Sequence, residues 1–333
     1  MTSGVFLGQL ISLSVAFTGW SATDLAERGL HTPTLQVAIP YCLLAFTYGS
    51  RYFRDPSSPK FNLYFPSSRK PWWVYALLAI VDVEANAAAV RAYQYTSITS
   101  IMLLDCLSVP FSMILSYYFL GARYSLRQYV GVLVCMVGLG VLVASDSSPQ
   151  APGAAPLIGD ALCVVAALFY ASSNVGQEAV LKSSSLGGGA DDTTKNGVRA
   201  EFLALLGIWG FLLSLVQGAF TDLENLKAVH LNTAIIGSLV AFSVSLFFVY
   251  VLASRVLLET DSAFFNLSLL SSDLWAMLIA VVFLGTPPPP LYYLAFLLIA
   301  AGLTLYHMSP FELSTPTPQN EGVQQVEDTS SSP

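Results

Sequence analysis

Charged residues are scarce in this chain of 333 residues, since Asp, Glu, Lys and Arg make up 11% of it against 54% hydrophobic residues. Soluble domains carry about 25% charged residues. A large core does not explain the deficit, because the surface of a soluble protein must still be covered by polar groups. The composition therefore indicates that most of this surface faces a lipid bilayer. There is no basic patch with interleaved aromatic residues, so we expect no nucleic-acid partner.

Histidine and cysteine are also few, with three and four residues. No pair among Cys42, Cys106, Cys135 and Cys163 has the short spacing of a metal or redox motif, and all four lie in apolar segments, as is typical of buried free thiols. The sequence contains no Gly-x-x-x-x-Gly-Lys motif, which excludes ATP-driven transport by this chain alone. We expect no cofactor and no bound metal.

What the chain does contain is a series of long apolar segments. About 20 apolar residues cross a bilayer as a helix. Ten segments of this kind follow one another, and we refer to them as spans 1 to 10. They predict an all-α membrane protein with transmembrane helices at 4–24, 34–53, 72–93, 97–119, 125–145, 157–179, 200–220, 231–253, 262–284 and 290–308.

The second half of the chain repeats the first. With a constant offset of 164 residues, Thr96 falls on Thr260 and Gly138 on Gly302. The repeats cover residues 4–145 and 157–308, and each holds five spans. An odd number of spans inserts the two halves in opposite orientations. The sequence thus predicts a 5+5 inverted repeat, which is typical of secondary transporters.

The basic residues indicate how the chain is oriented. Loops after even-numbered spans hold eleven Lys and Arg residues, and loops after odd-numbered spans hold three. Because basic loops stay in the cytoplasm, we expect both termini there. The predicted organisation is the first repeat plus span 6 (1–182), a flexible cytosolic linker (183–198), the rest of the second repeat (199–309) and a disordered cytosolic tail (310–333). The location is either an endomembrane (Golgi, endoplasmic reticulum or vacuole) or the plasma membrane, and the sequence does not decide between them.

Several spans contain polar side chains that lipid disfavours. A charge at the middle of the bilayer costs at least about 2.5–3.5 kcal/mol on insertion scales, so a carboxylate there indicates a function. Helical spacing groups these residues into one polar face on each of spans 3, 4 and 9. If the three faces point inwards, they line a water-accessible cavity; the alternative is hydrogen bonding between packed helices. The predicted substrate site comprises Asp82, Asn86, Tyr93, Gln94, Asp105, Ser108, Asn174, Asn266 and Asp273.

Three further features predict local structure. Pro110 should kink span 4, because proline removes a helical hydrogen bond. We expect Glu84 to pair with Arg91, seven positions later on the same helical face. The small residues of spans 5 and 10, such as Gly131 and Gly302, suit either tight contacts between helices or the seam of a homodimer.

The polar motifs resemble a known family. The runs Asp82-Val-Glu-Ala-Asn86, Leu103-Leu-Asp-Cys106 and Asn266-Leu-Ser-Leu-Leu270 are similar to the signature of solute carrier family 35, subfamily F (the F1/F2-type group), in the drug/metabolite transporter superfamily. The resemblance covers nearly all of residues 4–309. It implies a ten-helix inverted repeat that carries a small organic solute by alternating access. Relatives in the wider family exchange nucleotide sugars, and nucleobase- or nucleoside-like solutes are among the proposals for subfamily F.

The residues themselves favour one class of solute. Recognition of a diphosphate requires Arg or Lys, yet only Arg91 and Arg255 approach membrane depth, while the polar faces carry carboxylates. A neutral or cationic nucleobase- or nucleoside-like solute is therefore preferred, with proton coupling through Asp82 or Asp105 as a secondary hypothesis. The alternatives are a nucleotide-sugar exchanger and a non-transporting membrane scaffold. An intramembrane enzyme is disfavoured, because Asp82 and Asp105 lie on different helices without a Gly-rich catalytic loop.

Overall fold

The computed structural model describes residues 2–54, 70–92, 95–96, 101, 104–145, 156–185, 192–229, 232–284, 290–308 and 312–313. Within these ranges the protein is helical apart from turns and two strands of two residues each. The elements are α1 (Thr2–Glu27), α2 (Pro33–Arg54), α3 (Trp72–Ala92), α4 (Ser108–Leu120), β1 (Ala122–Arg123), α5 (Leu126–Ser145), α6 (Pro156–Ser185), α7 (Asp192–Thr221), α8 (Leu223–Ala228), α9 (Thr233–Glu259), α10 (Ser262–Leu269), α11 (Ser271–Leu284), α12 (Pro290–His307) and β2 (Glu312–Leu313).

Seven of the described helices are long and apolar enough to cross a membrane: α1, α3, α5, α6, α7, α9 and α12. Their outward faces carry large apolar side chains, for example Phe6, Leu133 and Leu297, each more than 60% exposed. Such surfaces are stable only against lipid. The prediction of an all-α membrane protein is therefore confirmed.

Small residues bring the helices of spans 5 and 10 together within the chain. Helices α5 and α12 pack antiparallel, with Gly131 against Gly302 and Gly138 against Ile299. A Cβ atom on Gly302 would lie 2.6 Å from both the Cys135 Sγ and the Gly131 carbonyl oxygen, so only glycine fits there. The glycines of the predicted dimer seam thus make contacts inside one molecule.

The other helices also pack most extensively across the two halves. The largest contacts after α5 with α12 are those of α2 with α7, α1 with α9 and α3 with α6. Gly207 and Gly218 of α7 lie against Tyr41 and Leu35 of α2, respectively, so this pair is antiparallel as well. One continuous apolar core joins these helices.

Two of the predicted spans are broken in the middle. Helix α4 begins only at Ser108, after a turn at Cys106 and Leu107. Pro110 has no N–H for the Cys106 carbonyl, which accepts a hydrogen bond from the Val109 N–H instead, at 3.1 Å. The kink predicted at Pro110 is therefore an interruption of the helix by a tight turn, placed one turn earlier, in which Leu107 keeps right-handed helical backbone angles. Span 9 is likewise divided, at Leu270, into α10 and α11.

The boundaries of the predicted linker and tail differ from those in the structure. Helix α6 continues to Ser185 and α7 begins at Asp192, so much of the segment predicted as a flexible linker is helical, and residues 186–191 lie outside the described residues. In the segment predicted as a disordered tail, β2 pairs antiparallel with β1. The rest of that segment lies outside the described residues. The beginning of α1 and the end of α12 meet at one end of the molecule, where Gly4 lies against His307.

Candidate functional site

The structure divides the predicted site residues among three places. Asp82 and Asn86 belong to one polar cluster, Asn174 and Asn266 to a second, and Asp105 and Asp273 lie at the two helix breaks. Ser108 is buried in the first turn of α4. The remaining two predicted residues, Tyr93 and Gln94, lie outside the described residues.

Asp82 is sealed inside the bundle, where hydroxyl groups from three other helices surround its carboxyl group. One oxygen, Oδ2, accepts hydrogen bonds from Tyr41 of α2 and from Tyr250 of α9, the latter at 2.6 Å. The other, Oδ1, accepts one from Ser173 of α6 at 3.1 Å. All four residues are buried, and Asp82 is 4% exposed. Asp82 therefore joins four helices and does not face open water.

Asn86 extends this cluster by one helical turn. Its side-chain amide donates to the Asp82 backbone carbonyl at 2.8 Å, and its Oδ1 accepts a hydrogen bond from Tyr170 of α6 at 3.0 Å. Gln177 of α6 in turn donates to the Ser173 hydroxyl at 3.0 Å. These contacts keep the polar face of α3 directed at α6.

The second cluster connects α6, α10 and α4. Asn174 donates to the Asn266 Oδ1 at 3.0 Å, and Asn266 donates to the Ser112 hydroxyl at 2.8 Å. Asn266 is 1% exposed and Ser112 is fully buried. Both asparagines are thus satisfied by protein partners, as buried amides must be.

The third group is different, because protein atoms cover its side chains less completely. Asp105 lies directly before the break of span 4 and is exposed, and Asp273 lies directly after the break of span 9 and is half-buried. The two carboxyl groups are close enough for their charges to interact, and Asp105 is also close enough to interact electrostatically with the Cys163 thiol on α6. Gln9 of α1, which bonds Ser271 at 3.1 Å and Trp275 at 3.0 Å, holds α1 against this part of α11.

A buried ion pair near the end of α6 was not predicted from the sequence. Lys182 donates to the Glu178 Oε1 at 2.7 Å, and it also bonds the Thr260 carbonyl. The second oxygen of Glu178 accepts from the Ser262 N–H at 2.7 Å, at the start of α10. Glu178 is fully buried and Lys182 is 9% exposed. The pair therefore fastens the end of α6 to the corner between α9 and α10.

The corner itself is polar and buried. Asp261 caps α10 by accepting from the Phe264 N–H at 2.8 Å, and the same oxygen accepts from the Tyr306 hydroxyl at 2.9 Å. Burial raises the pKa of Asp261 to about 6, and the nearby Glu178 adds to the effect. A cavity of about 160 Å³ borders this corner on the α12 side. Neither Asp105 nor Asp273 is among the residues that line it.

One expectation needs correction, and several partners were not predicted. Glu84 accepts a hydrogen bond from Gln217 of α7 at 3.2 Å and does not pair with Arg91. The i, i+4 spacing of Glu178 and Lys182 was a signal for their ion pair. A tyrosine hydroxyl in the middle of an apolar helix needs a partner, so Tyr41 and Tyr250 could have been suspected as well. Their common partner was not visible in the sequence.

Comparison with known proteins identifies relatives along most of the chain. The family model of solute carrier family 35, subfamily F, matches residues 1–308. Solute carrier family 35 member F2 of Mus musculus is 34% identical over 311 residues, which make up 92% of this chain and 78% of the mouse protein. Member F2 of Xenopus tropicalis is 30% identical over 314 residues, with 92% and 76% covered.

Two further matches extend the comparison. An uncharacterised solute carrier family 35 member of Schizosaccharomyces pombe is 31% identical over 306 residues, which cover 91% of this chain and 57% of the yeast protein. A crystal structure with 14% sequence identity superposes with a TM-score of 0.66 and covers 92% of this chain and 97% of the other. This likeness shows the fold alone. The resemblance noted in the sequence is confirmed, and the chain belongs to solute carrier family 35, subfamily F.

Proposed function

We propose that this protein is a secondary transporter that carries a small organic solute by alternating access between two inverted five-helix halves. The observation that carries the proposal is the pair of helix interruptions that bring Asp105 and Asp273 near each other; the recess that we propose as the solute site lies beside these two residues. Membrane transporters place their solute site at such discontinuous helices, near the interface of two repeats. Membership of a solute carrier family supports the same function.

The pattern of helix contacts supports the two-fold exchange of the halves. If span n is exchanged with span n+5, the contact of α1 with α9 becomes that of α6 with α3, and both contacts are extensive. The contact of α1 with α11 becomes that of α6 with α4, and these two are also matched. The pairs α5 with α12 and α2 with α7 exchange with themselves.

The direction of these self-exchanging pairs supports inversion. Equivalent helices of an inverted repeat run in opposite directions, and both pairs are antiparallel. Cys135 donates a hydrogen bond to the Ile299 carbonyl, and these residues are separated by 164 positions, the offset of the repeat. A residue meets its own equivalent only near a two-fold axis. An axis between α5 and α12 therefore accounts for this contact.

The two helix breaks are also related by the offset of 164 residues. Cys106, in the turn before α4, corresponds to Leu270, in the turn between α10 and α11. The equivalence places a discontinuous helix in each half, as expected of a site shared by both. Asp105 and Asp273 flank the two turns.

The charges at the recess favour a neutral or cationic solute. None of the four ion pairs within the described ranges involves Asp105 or Asp273. Two carboxylates without a basic partner repel a dianionic diphosphate and attract a cation or hydrogen-bond donors. A nucleobase- or nucleoside-like solute fits this requirement, whereas a nucleotide sugar does not.

The packing also suggests which side is open in this conformation. At the end where α6 meets α9 and α10, Glu178, Asp261 and Ser262 are buried. The Ser262 N–H of α10 donates a hydrogen bond to the Glu178 carboxylate of α6. Asp105 is exposed on the other side of the breaks. We place the closed end in the cytoplasm, together with both termini, because of the distribution of basic loops. A homodimer through α5 and α12 would have to use the faces of these helices that do not contact each other. Gly140 lies on such a face, since a Cβ atom added to it would have no other atom within 4 Å.

Counterflow in proteoliposomes tests the proposal. Nucleosides, nucleobases and nucleotide sugars are compared as labelled solutes, and the best solute is then used with the variant Asp105→Asn. A hydrogen bond to a charged group is worth about 1.5–3 kcal/mol, so we expect the exchange rate to fall roughly 10- to 100-fold. Asp192→Asn, whose side chain is 98% exposed, is the matched control and should exchange normally.

The outcomes separate the function from the site. If the wild-type protein exchanges none of these solutes, transport of this class is wrong. If Asp105→Asn is correctly folded by size-exclusion chromatography and exchanges as fast as Asp192→Asn, the recess at the breaks is not the solute site. A preference for nucleotide sugars would contradict the charge argument.

A further inference from the structure

Three oxygen atoms form a closed triangle: the Oδ2 atom of Asp82 and the hydroxyl oxygens of Tyr41 and Tyr250. The Oδ2 atom of Asp82 is within hydrogen-bonding distance of the Tyr41 and Tyr250 hydroxyls. The two hydroxyls are also within hydrogen-bonding distance of each other, at 2.8 Å. Each side of the triangle is therefore short enough for a hydrogen bond.

Counting hydrogens distinguishes the two ionisation states of this carboxyl group. Two tyrosine hydroxyls supply two hydrogens, which satisfy two sides of the triangle. If Asp82 is ionised, both hydroxyls must point at the carboxylate, and the oxygens of Tyr41 and Tyr250 face each other without a hydrogen between them. If Asp82 carries a proton on Oδ2, this O–H donates to one tyrosine instead of accepting from it, the other tyrosine donates to Oδ2, and the two hydroxyls bond each other, so all three sides are satisfied in a ring.

In the part of the chain that the structure describes, no charged group lies against Asp82 to stabilise an ionised carboxylate. The groups that face it from the helices packed against it are all neutral when tyrosine is protonated: Tyr41 of α2, Tyr170, Ser173 and Gln177 of α6, Tyr250 of α9, and Asn86 of its own helix. Glu84, on the same helix, is turned to Gln217 of α7. Among the described residues, no ion pair includes Asp82. An unpaired buried carboxylate is costly and takes up a proton instead.

We propose that the Asp82 carboxyl group is a proton-binding site, protonated in this conformation, and that its proton is the ion coupled to solute movement. This inference rests on the proposed function. It moves Asp82 from the solute-contacting residues, where the sequence analysis placed it, to a separate site for H⁺. One proton leaves the Asp82 oxygen for water on one side of the membrane and is replaced from water on the other side in each cycle.

The position of the triangle explains why the proton and the conformation are linked. Tyr41 and Asp82 belong to the first half of the chain, and Tyr250 and Ser173 to the second half. Loss of the proton removes the hydrogen between the Tyr41 and Tyr250 hydroxyls, which belong to different halves, and leaves their oxygen lone pairs in contact, while Tyr250 and Ser173 still donate to Asp82. The ionised form therefore requires the halves to separate or water to enter, and both change the packing. Protonation stabilises the dry arrangement seen here.

Two transport measurements on the same proteoliposomes test the coupling. With the membrane potential clamped, a pH gradient of one unit, with one proton coupled to one solute, sustains about tenfold accumulation or depletion of solute. We expect the wild-type protein to show this response. In Asp82→Asn, exchange at equal pH should persist at a lower rate, whereas the accumulation ratio should fall from about ten to one. Asp192→Asn is again the control and should behave as the wild type.

The results distinguish the two proposals. Absence of exchange in the wild-type protein would contradict the proposed function. Exchange without any response to the pH gradient would contradict the proton site alone. The same holds if Asp82→Asn accumulates solute as the wild type does.

Infrared difference spectroscopy supplies a readout that does not depend on transport. Wild type minus Asp82→Asn should show the C=O stretch of a protonated carboxyl group at neutral pH. Tyr41→Phe and Tyr250→Phe should shift that band, because each removes a hydroxyl from the ring and keeps the aromatic side chain. If the difference spectrum shows carboxylate bands instead, Asp82 is ionised and the inference is wrong.

Discussion

Replacing Lys182 by methionine is the most informative perturbation of the closed end. Methionine keeps the length and apolar stem of lysine but removes the ammonium group that bonds Glu178 and the Thr260 carbonyl. Glu178 is fully buried, and its other oxygen is committed to the Ser262 N–H. The substitution therefore leaves a buried negative charge without its counter-ion, next to Asp261.

The expected size of the effect follows from this burial. Removing one partner of a buried ion pair costs about 3–5 kcal/mol, mostly because the remaining charge is unpaired. Adding Glu178→Gln to Lys182→Met should recover most of that loss, since glutamine can still accept from the Ser262 N–H without a charge. Arg255 and Glu259 form a pair with the same i, i+4 spacing whose side chains are 53% and 40% exposed. Breaking this pair with Arg255→Met should cost at most about 1 kcal/mol.

The assay is unfolding of purified protein in detergent for wild type, Lys182→Met, Arg255→Met and the double variant Glu178→Gln/Lys182→Met. We expect a large loss for Lys182→Met, a small one for Arg255→Met, and recovery in the double variant. If Lys182→Met is no less stable than Arg255→Met, the pair is not buried as described. If the double variant is as unstable as Lys182→Met, the unpaired charge is not the cause.

Two further predictions concern packing and pH. Gly302→Ala should lower the free energy of unfolding by about 1–3 kcal/mol, because its Cβ would meet the Gly131 carbonyl oxygen. Gly140→Ala is the control: its Cβ would have no atom within 4 Å, so thermal unfolding should show it to be neutral or stabilising. Equal losses of stability in the two variants would contradict the packing of α5 against α12. Because the pKa of Asp261 rises from 3.8 to about 6 on folding, the protonated form is favoured in the fold. The contribution of Asp261 to stability is thus fully present below pH 4 and is lost as pH rises to 6. Asp261→Asn retains the cap and should lack this loss, so the difference between the thermal midpoints of wild type and variant should change as pH rises from 4 to 6. A difference that stays constant over this range would show the assignment to be wrong.

Much of the architecture could be predicted because its causes are local or repeated. The scarcity of charge indicates lipid as the solvent, since every span must bury its backbone polar groups in a helix of its own. The offset of 164 residues, read from glycines and threonines, also relates the two helix breaks and the contact of Cys135 with Ile299. Family membership followed from short polar motifs. The place of the break in span 4 was predicted only approximately, because Pro110 removes a hydrogen bond one turn before its own position.

The roles of the individual acids could not be read from the sequence in the same way. Asp82 and Asp105 are both single carboxylates in apolar segments, and the polar pattern treats them alike. Their difference arises from partners far away in the chain: Tyr41 and Tyr250 reach Asp82 across 41 and 168 positions, whereas Asp105 lies beside a turn and is exposed. The sequence by itself thus determined the solvent, the repeat and the family. Only the tertiary structure decided which carboxyl group is sealed among hydroxyls and which is left exposed beside a turn, because burial is set by the packing of other helices.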